Sequence, residues 1–435
     1  MSTDRRKFLH TLAGTFGLAG ALPFYSSASG RSLLDALACY QPVPARQLAG
    51  DETFWRQVKM AYSVSPAIVN LNNGGVSPQP IVVQEAVERY NRMSNEAPSY
   101  YMWRILDKGR EPVRAKLAGL AGCSPEEIAI NRNASEALET VIFGLQLKAG
   151  DEVVLTRQDY PNMINAWKQR AKRDGVVLKW LSFDFPIEDD GQIVKAFASA
   201  FTPRTKVVHI THIINWNGQV MPAREIAREA HNRGIEALVD GAHSFCHLDF
   251  EVPGLECDYF GTSLHKWLCA PFGSGMLYVR KEKIASLYPL FSAPEPESSD
   301  IRKFENLGTR SFAIEQAIAQ AADFHLMIGA ERKQERLLYL RRYWVEQAQG
   351  IPGFQLFSPS GALHSCAIAL AGLSGVENQT LSDWLFRDCQ IHTVPIQWEN
   401  ISGIRVTPNV YTLTEDLDRL VEALKAYPKI GKRNK

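Results

Sequence analysis

One lysine, Lys266, lies within an otherwise apolar and small-residue stretch, GTSLHKWLCAPFGSGMLYV, at residues 261–279. Lysine is among the residues least often fully buried unless a partner compensates its charge. Two further stretches place polar groups beside apolar runs. Asp240 ends the apolar run of LVDGAHS, and Ala134 and Ser135 begin a helix-like run in NRNASEALE. The sequence thus offers a buried amine, a buried carboxylate and a helix start with free amides and a hydroxyl.

Pyridoxal phosphate is a cofactor that requires all three groups. Its aldehyde forms a Schiff base with an unprotonated lysine, its ring nitrogen needs an acidic partner, and its phosphate needs amides and hydroxyls. Burial lowers the pKa of a lysine and so favours the neutral amine. Each residue alone has a simpler explanation, since Asp240 could form an Asx turn, Lys266 could extend to the surface and Ser135 could cap a helix. Their order and spacing together favour the cofactor site.

These groups lie at strand ends in a repeated strand–helix pattern. Seven short apolar runs predict strands, namely EIAINRN, DEVVLT, VVLKWLSF, TKVVHITHI, EALVDGAH, DYFGTSL and GMLYVR. Runs such as ASEALETVIFGLQL and NMINAWKQRAKRDG have helical spacing. The alternation predicts an α/β fold with a mostly parallel sheet covered on both faces. In such sheets ligands bind at the carboxyl ends of the strands.

The N-terminal residues 1–30 differ from the rest of the chain. Arg5 and Arg6 are followed by Phe8 and Leu9, then by a short apolar run without acidic residues and a small-residue exit. This order resembles a twin-arginine export signal, and the run is too short for a membrane span. An amphipathic helix or a retained anchor is the alternative. The segment predicts export, with the periplasm as the destination.

The remaining chain is expected to form two domains. Residues 76–310 are predicted to form a large cofactor-binding domain, because they contain the strand–helix alternation. Residues 311–435 are predicted to form a smaller α+β domain, completed by an N-terminal segment at 31–75. Within the smaller domain, the stretch SFAIEQ to QAQG, residues 311–350, is predicted to be one long helix.

Composition excludes several classes of function. The chain has 435 residues, of which 45% are hydrophobic and 22% charged, and its formal net charge is +1. This composition is ordinary for a globular protein and supplies no basic field, so no nucleic-acid partner is expected, nor a membrane partner after signal removal. The seven cysteines and ten histidines show no metal-binding spacing, and no metal site is predicted.

The sequence resembles the class V aminotransferase family of fold-type I pyridoxal-phosphate enzymes, which includes isopenicillin N epimerases, cysteine desulfurases and C–S lyases. The similarity extends from LNNGGVSPQP, starting at residue 71, to IRVTPNVYTLTEDLD near the end of the chain. The most specific part is the pair of motifs Asp-Gly-Ala-His and Ser-Leu-His-Lys. The resemblance therefore covers most of the chain after the predicted signal.

The resemblance implies a role for each matching residue. Lys266 would hold the cofactor and transfer the Cα proton, Asp240 would bind the ring nitrogen and His243 the phenolic oxygen. Tyr160 would stack on the ring, where the family often has histidine, and Asn215 would face the cofactor. The expected phosphate ligands are Ala134 through its amide, Ser135, Ser263, His265 and Thr309.

The resemblance also implies how substrate and subunits are arranged. Arg405 would grip the substrate carboxylate, and Asn73 with Gly74 would lie over the substrate. Thr309 would come from the neighbouring subunit, which implies a homodimer with shared sites. The alternatives for two of these residues are structural, a helix cap for Thr309 and a salt bridge for Arg405.

The reaction implied by the resemblance takes place at the Cα of an amino acid or amino-acid-containing peptide, through an external aldimine. The interval 391–403 lacks the cysteine that desulfurases carry there, and NNGGVSPQP and DYPN favour the isopenicillin N epimerase branch. Epimerisation or a class V aminotransferase reaction is therefore expected. The alternatives are β-elimination of the C–S lyase or desulfurase type, and a cofactor-binding protein without turnover.

Overall fold

The computed structural model describes residues 37, 39, 40 and 42–431, without the side chains of 428–431. The predicted export signal at residues 1–30 lies outside this part of the chain. Within it, no helix is both long and apolar enough to cross a membrane. The same residues contain no group of three or more His, Cys, Asp or Glu side chains arranged to hold a metal ion.

Strands and helices alternate through the first two thirds of the described chain. The strands are β1 (Val69–Asn70), β2 (Ile128–Asn131), β3 (Glu152–Thr156), β4 (Val177–Leu181), β5 (Thr205–Thr211), β6 (Glu236–Asp240), β7 (Tyr259–Ser263), β8 (Gly275–Val279), β9 (Phe354–Leu356), β10 (Ala369–Leu373), β11 (Ile391–His392), β12 (Val394–Trp398) and β13 (Ile401–Val406). The seven strands predicted from sequence are β2 to β8.

The helices cover both faces of the sheet and form most of the outer layer. They are α1 (Ala45–Leu48), α2 (Glu52–Lys59), α3 (Ile81–Glu96), α4 (Pro98–Tyr100), α5 (Arg110–Ala121), α6 (Ala134–Gly144), α7 (Pro161–Asp174), α8 (Asp190–Ala200), α9 (Ala223–His231), α10 (Phe312–Ile328), α11 (Ala330–Ala348), α12 (Asn378–Cys389) and α13 (Thr414–Gly431). A π-helical turn, Tyr101–Leu106, follows α4.

The large sheet has seven strands in the order β2-β8-β7-β6-β5-β3-β4. Strands β4, β3, β5, β6 and β7 run parallel, whereas β8 is antiparallel to both of its neighbours, β7 and β2. Every residue of β2, β3, β7 and β8 is buried, because helices cover the sheet. The observed sheet confirms the predicted α/β fold with a mostly parallel sheet.

The C-terminal part of the chain forms a second, four-stranded antiparallel sheet in the order β12-β13-β10-β9. The N-terminal segment is joined to this part through backbone and side chains. Strand β1 pairs in parallel with β11, and two ion pairs join α2 to α13, Arg56 with Glu415 and Lys59 with Asp416. The predicted limits of the domains, 76–310 and 311–435 with 31–75, remain predictions.

One sequence prediction about the helices was wrong. The stretch 311–350 forms two helices, α10 and α11, which are separated at Gly329. Gly329 has a φ of 93°, a backbone conformation that L side chains rarely adopt, so the helix cannot continue through it. Helix α8 was not predicted; it begins where the Asp189 carboxylate accepts hydrogen bonds from the amides of residues 191 and 192.

Candidate active site

The carboxyl ends of the central strands bring the predicted site residues to one edge of the large sheet. In the sheet register, Asp240 at the end of β6 lies beside Thr211 of β5 and Gly261 of β7. Ser263 at the end of β7 is paired with Gly275 at the start of β8. The loop that follows β7 carries Lys266. The strand ends therefore surround one cavity of about 540 Å³.

The cavity is lined by most of the residues that the sequence singled out. They are Gly74, Ala134, Ser135, Tyr160, Asn215, Asp240, His243, Ser263, His265, Lys266 and Arg405. Tyr160 is 41% exposed, which leaves part of its ring facing the opening. Since these residues come from seven separate segments of the chain, only the fold brings them together.

Lys266 lies at the centre of the polar part of the cavity. Its Nζ is 3.0 Å from Nε2 of His243. The pKa of Lys266 is lowered to about 8, mainly by burial; the negative charge of Asp240 opposes this shift, and the positive charge of Arg405 adds to it. A lysine with this pKa has a substantial neutral fraction near neutral pH, which is the form that attacks an aldehyde.

Asp240 is the buried carboxylate that the sequence predicted. Its Oδ1 accepts a hydrogen bond from the amide of Ala242 at 2.9 Å. Burial raises the pKa of Asp240, and this effect outweighs the opposing influence of His209, the Ala242 amide and Lys266. A cationic ring nitrogen beside this carboxylate would stabilise its ionised form, so the site suits a pyridinium partner.

The start of α6 forms the end of the cavity that is suited to binding a phosphate. Asn133 caps this helix, and its side chain accepts from the amide of Glu136 at 2.9 Å. The amide of Ala134 donates to Oγ of Ser263 at 2.9 Å, which brings both predicted phosphate ligands together. His265 donates from Nδ1 to the Ser274 carbonyl at 3.0 Å. A helix start with hydroxyls and an imidazole is suited to binding a phosphate.

Close packing at Gly275 keeps this end of the cavity in place, and Gly275→Ala tests it. A Cβ at Gly275 would lie 2.6 Å from the Asn133 nitrogen and Cα, so the backbone at the start of α6 must move. We expect pyridoxal phosphate to bind roughly tenfold more weakly, because overpacking of this kind costs on the order of 1–3 kcal/mol. Titration of the cofactor by absorbance measures the change. Gly119→Ala is the control, since nothing lies within 4 Å of its Cβ; equal affinity in both variants would contradict the prediction.

Arg405 is a buried guanidinium whose contacts within the described chain carry no negative charge. Its Nη1 donates to the Asn215 carbonyl at 2.9 Å and its Nη2 to Oδ1 of Asn72 at 3.2 Å. Its Nε has no hydrogen-bond partner among the described atoms. Burial lowers the pKa of Arg405 to about 10. An arginine in this state is suited to a carboxylate that comes from outside the chain.

Two predicted residues lie away from the cavity wall. The side chain of Asn73 donates to the carbonyls of Asn70 and Thr407 and accepts from the hydroxyl of Tyr411. Its amide is therefore engaged in holding the loop, and its neighbour Asn72 contacts Arg405 instead. Thr309 is exposed in the loop before α10 and does not line the cavity of its own chain. Its predicted contribution to a neighbouring subunit remains a prediction.

Several cavity residues were not predicted from sequence. Trp216 lines the cavity, and its ring stacks on that of Trp398 with centroids 5.2 Å apart. Val394 and Ile396 of β12 form an apolar part of the wall. An isolated tryptophan or an alternating strand is typical of any core, so no local signal distinguished these residues.

The residues present fit pyridoxal phosphate. Lys266 can bind its aldehyde carbon, Asp240 its ring nitrogen, and the start of α6 with Ser263 and His265 its phosphate. Asn215 Oδ1 is a buried oxygen without a hydrogen-bond partner among the described atoms, and its residue lines the cavity. The lysine, the buried acid and the phosphate-binding end of the cavity together define a pyridoxal-phosphate enzyme of fold-type I.

Comparison with known proteins identifies the family. The model described as aminotransferase class-V matches residues 69–393, about three quarters of the chain. The chain therefore belongs to the class V aminotransferase family, as the sequence motifs predicted. Its cofactor is pyridoxal phosphate, and it is an enzyme.

Curated relatives include enzymes of more than one kind. The isopenicillin N epimerase of Amycolatopsis lactamdurans is 30% identical over 398 residues, which cover 87% of this chain and 99% of that protein. A probable cysteine desulfurase of Synechocystis is 29% identical and covers 82% of this chain and 90% of its own. Among solved structures, the cysteine desulfurase CsdA of Escherichia coli has the same fold, with a TM-score of 0.77, 19% identity and coverage of 86% and 98%.

Proposed function

We propose that this enzyme removes and returns the Cα proton of an α-amino acid, or of a peptide that carries one, in an epimerisation of the isopenicillin N epimerase type. The 30% identity to an isopenicillin N epimerase, over nearly all of that protein, supports the proposal. The absence of a thiol among the lining residues of the described cavity supports it more directly.

The thiol-free wall is the observation that carries the proposal. In this chain the interval before Arg405 forms strands β12 and β13, and the residues that it contributes to the cavity are Val394, Ile396 and Arg405. No cysteine is among the lining residues of this cavity in the described structure. Transfer of sulfur to the protein needs a thiolate, which this wall does not offer.

Three cysteines of the described structure, Cys246, Cys366 and Cys389, are also poor nucleophiles. Cys389 ends α12, and burial raises the pKa of its thiol. Burial raises the pKa of both Cys246 and Cys366 to about 12. Their thiolate forms are scarce at neutral pH, and so proton transfer at Cα is favoured over sulfur transfer to the protein.

The residues of the chain supply the remaining parts of the reaction. When bound, pyridoxal phosphate supplies an electron sink that weakens the bonds at Cα. Arg405 binds the substrate carboxylate and thereby fixes which Cα bond is presented. Lys266 in its neutral form accepts the Cα proton on one face, and inversion requires that a proton is then delivered to the opposite face. Asp240 holds the positive charge of the cofactor ring in place.

Elimination at Cβ of a sulfur-containing amino acid is the second candidate. It uses the same lysine, carboxylate and arginine, and it needs no protein thiol when the sulfur leaves with the product. Relatives described as probable cysteine desulfurases favour this candidate. Transamination, the third reaction that uses these residues, requires a keto acid.

Incubation of the cofactor-loaded enzyme with D- and L-amino acids in heavy water separates these reactions. We expect deuterium at Cα together with loss of optical purity, because the proton is exchanged with solvent during epimerisation. Pyruvate with ammonia or sulfide would instead establish elimination, and conversion that depends on a keto acid would establish transamination. Cys389→Ser is the matched control and should leave the rate unchanged; loss of activity in this variant would contradict the thiol-free mechanism.

A further inference from the structure

Both ring nitrogens of His243 have partners in the described structure. Nε2 lies 3.0 Å from Nζ of Lys266, and Nδ1 lies 3.4 Å from Nε1 of Trp267. Trp267 is fully buried. The lysine and the tryptophan that follow each other in sequence thus contact opposite sides of one imidazole.

The chemistry of the indole decides which nitrogen of His243 bears the proton. An indole N–H can only donate a hydrogen bond, so Nδ1 of His243 must be the acceptor. In the neutral imidazole the proton then lies on Nε2, which donates to the lone pair of neutral Lys266. Burial, followed by the charges of Lys266 and Arg405, lowers the pKa of His243 well below its usual value, which keeps the ring neutral.

A second histidine holds the indole in position. The ring of His247 stacks on Trp267 with centroids 3.7 Å apart and an interplanar angle of 25°. Nδ1 of His247 donates to the His243 carbonyl at 2.8 Å, while its Nε2 accepts from the amide of Ala367 at 2.9 Å. The ammonium of Lys333 donates to the Trp267 carbonyl. The indole is therefore fixed from its face and from its backbone.

We propose that Trp267 is a positioning residue that fixes the tautomer of His243, so that Nε2–H is directed at Lys266 and the cofactor position. An Nε2–H donor favours the neutral lysine, whereas an Nε2 lone pair would favour the ammonium. The other charged or titratable groups that act on this pair are Asp240, Arg405 and His247. The proposal concerns the free lysine before the cofactor is attached, and so it does not depend on which reaction the enzyme catalyses.

Trp267→Phe tests the proposal, because phenylalanine keeps an aromatic ring against His247 and removes the N–H donor together with some ring volume. In the full chain without added cofactor, acylation of Lys266 is followed against pH by mass spectrometry of the peptide. Without the indole, His243 can present a lone pair at Nε2 and stabilise the lysine ammonium. We expect the midpoint of the pH profile to rise by roughly 0.5–1 unit, the size of a neutral hydrogen bond. An unchanged midpoint would overturn the proposal.

Trp344→Phe is the matched control. Trp344 is also fully buried, lies in the core around α11, and its indole nitrogen has no hydrogen-bond partner among the described atoms. This variant loses a similar volume and should leave the lysine profile unchanged. If both variants shift the midpoint equally, the effect is one of packing and the proposal fails.

A measurement on the unaltered protein keeps the proposal testable even if the variant does not fold. Nitrogen-15 spectra of histidine-labelled full chain report the tautomer of each ring, and the His243 signals are assigned by their loss in His243→Gln. We expect Nε2 protonated and Nδ1 unprotonated at neutral pH. A proton found on Nδ1 would overturn the proposal.

Discussion

Replacement of Lys266 by alanine is expected to abolish covalent attachment of pyridoxal phosphate and to lower turnover roughly a thousand-fold or more. Lys266 lines the cavity, its pKa is lowered to about 8, and its Nζ is 3.0 Å from Nε2 of His243. No other lysine lines the cavity in the described structure. The variant loses the one side chain that is proposed both to hold the cofactor and to move the Cα proton.

Borohydride reduction followed by peptide mass spectrometry measures the attachment. The unaltered enzyme should carry the reduced cofactor on the peptide that contains Lys266, and Lys266→Ala should carry none. Lys303→Met is the control, because Lys303 is a buried lysine outside the cavity that donates to the carbonyls of Ile284 and Pro296. Retained attachment in Lys266→Ala, or loss of attachment in Lys303→Met, would contradict the assignment.

The polar residues at strand ends were predictable because two independent signals coincide there. Apolar, β-branched runs identify buried strands, and a carboxylate at the end of such a run is costly unless a partner compensates its charge. Parallel strands bring their carboxyl ends to one edge, so Asp240 and Ser263 were expected to meet. The observed register places Asp240 beside Thr211 and Gly261.

Strand order and loop geometry could not be derived in the same way. Strand β8 is inserted between β7 and β2 in the opposite direction, and this pairing brings Gly275 against Asn133. Nothing in the periodicity of GMLYVR specifies that neighbour. The break at Gly329 was missed because a glycine within a helical run costs only about 1 kcal/mol and is often tolerated.

The different roles of the neighbouring residues Asn72 and Asn73 could not be predicted from sequence either. Asn72 and Asn73 are equivalent in type, but Asn72 contacts Arg405 whereas Asn73 is hydrogen-bonded to Tyr411 and Thr407. The choice depends on the pairing of this loop with the segment after β13, where the Asn73 amide donates to the Thr407 carbonyl at 3.2 Å. Such a contact joins distant parts of the chain and leaves no local pattern.

The structure also separates two explanations of Arg405 that sequence left open. A structural salt bridge would place a carboxylate on the guanidinium, whereas the described contacts are a carbonyl and an amide oxygen. A buried cation without a counter-charge lowers the stability of the fold. Burial for the same reason lowers the pKa of Arg405 to about 10. A site that holds such a charge is suited to an anion, which supports the proposed binding of the substrate carboxylate by Arg405.

Replacement of Arg405 by glutamine is therefore expected to raise KM for an amino-acid substrate about a hundred-fold while the cofactor still binds. The size follows from the loss of a charge-assisted, bidentate contact, which is worth about 1.5–3 kcal/mol for each hydrogen bond to a charged group. The uncompensated buried charge disappears in the variant, so its thermal stability should be equal to or higher than that of the unaltered enzyme. Steady-state kinetics, cofactor absorbance and thermal unfolding measure these three quantities.

Arg341→Gln provides the comparison, because Arg341 is a second buried guanidinium whose described hydrogen bond goes to the Pro359 carbonyl, away from the cavity. Burial lowers the pKa of Arg341 as it does that of Arg405, so both variants remove a similar buried charge. Only Arg405→Gln should change KM, because Arg405 lines the cavity and Arg341 does not. An unchanged KM in Arg405→Gln, or the same rise in both variants, would mean that the substrate carboxylate binds elsewhere, and the orientation of the Cα bond proposed for Lys266 would fall with it.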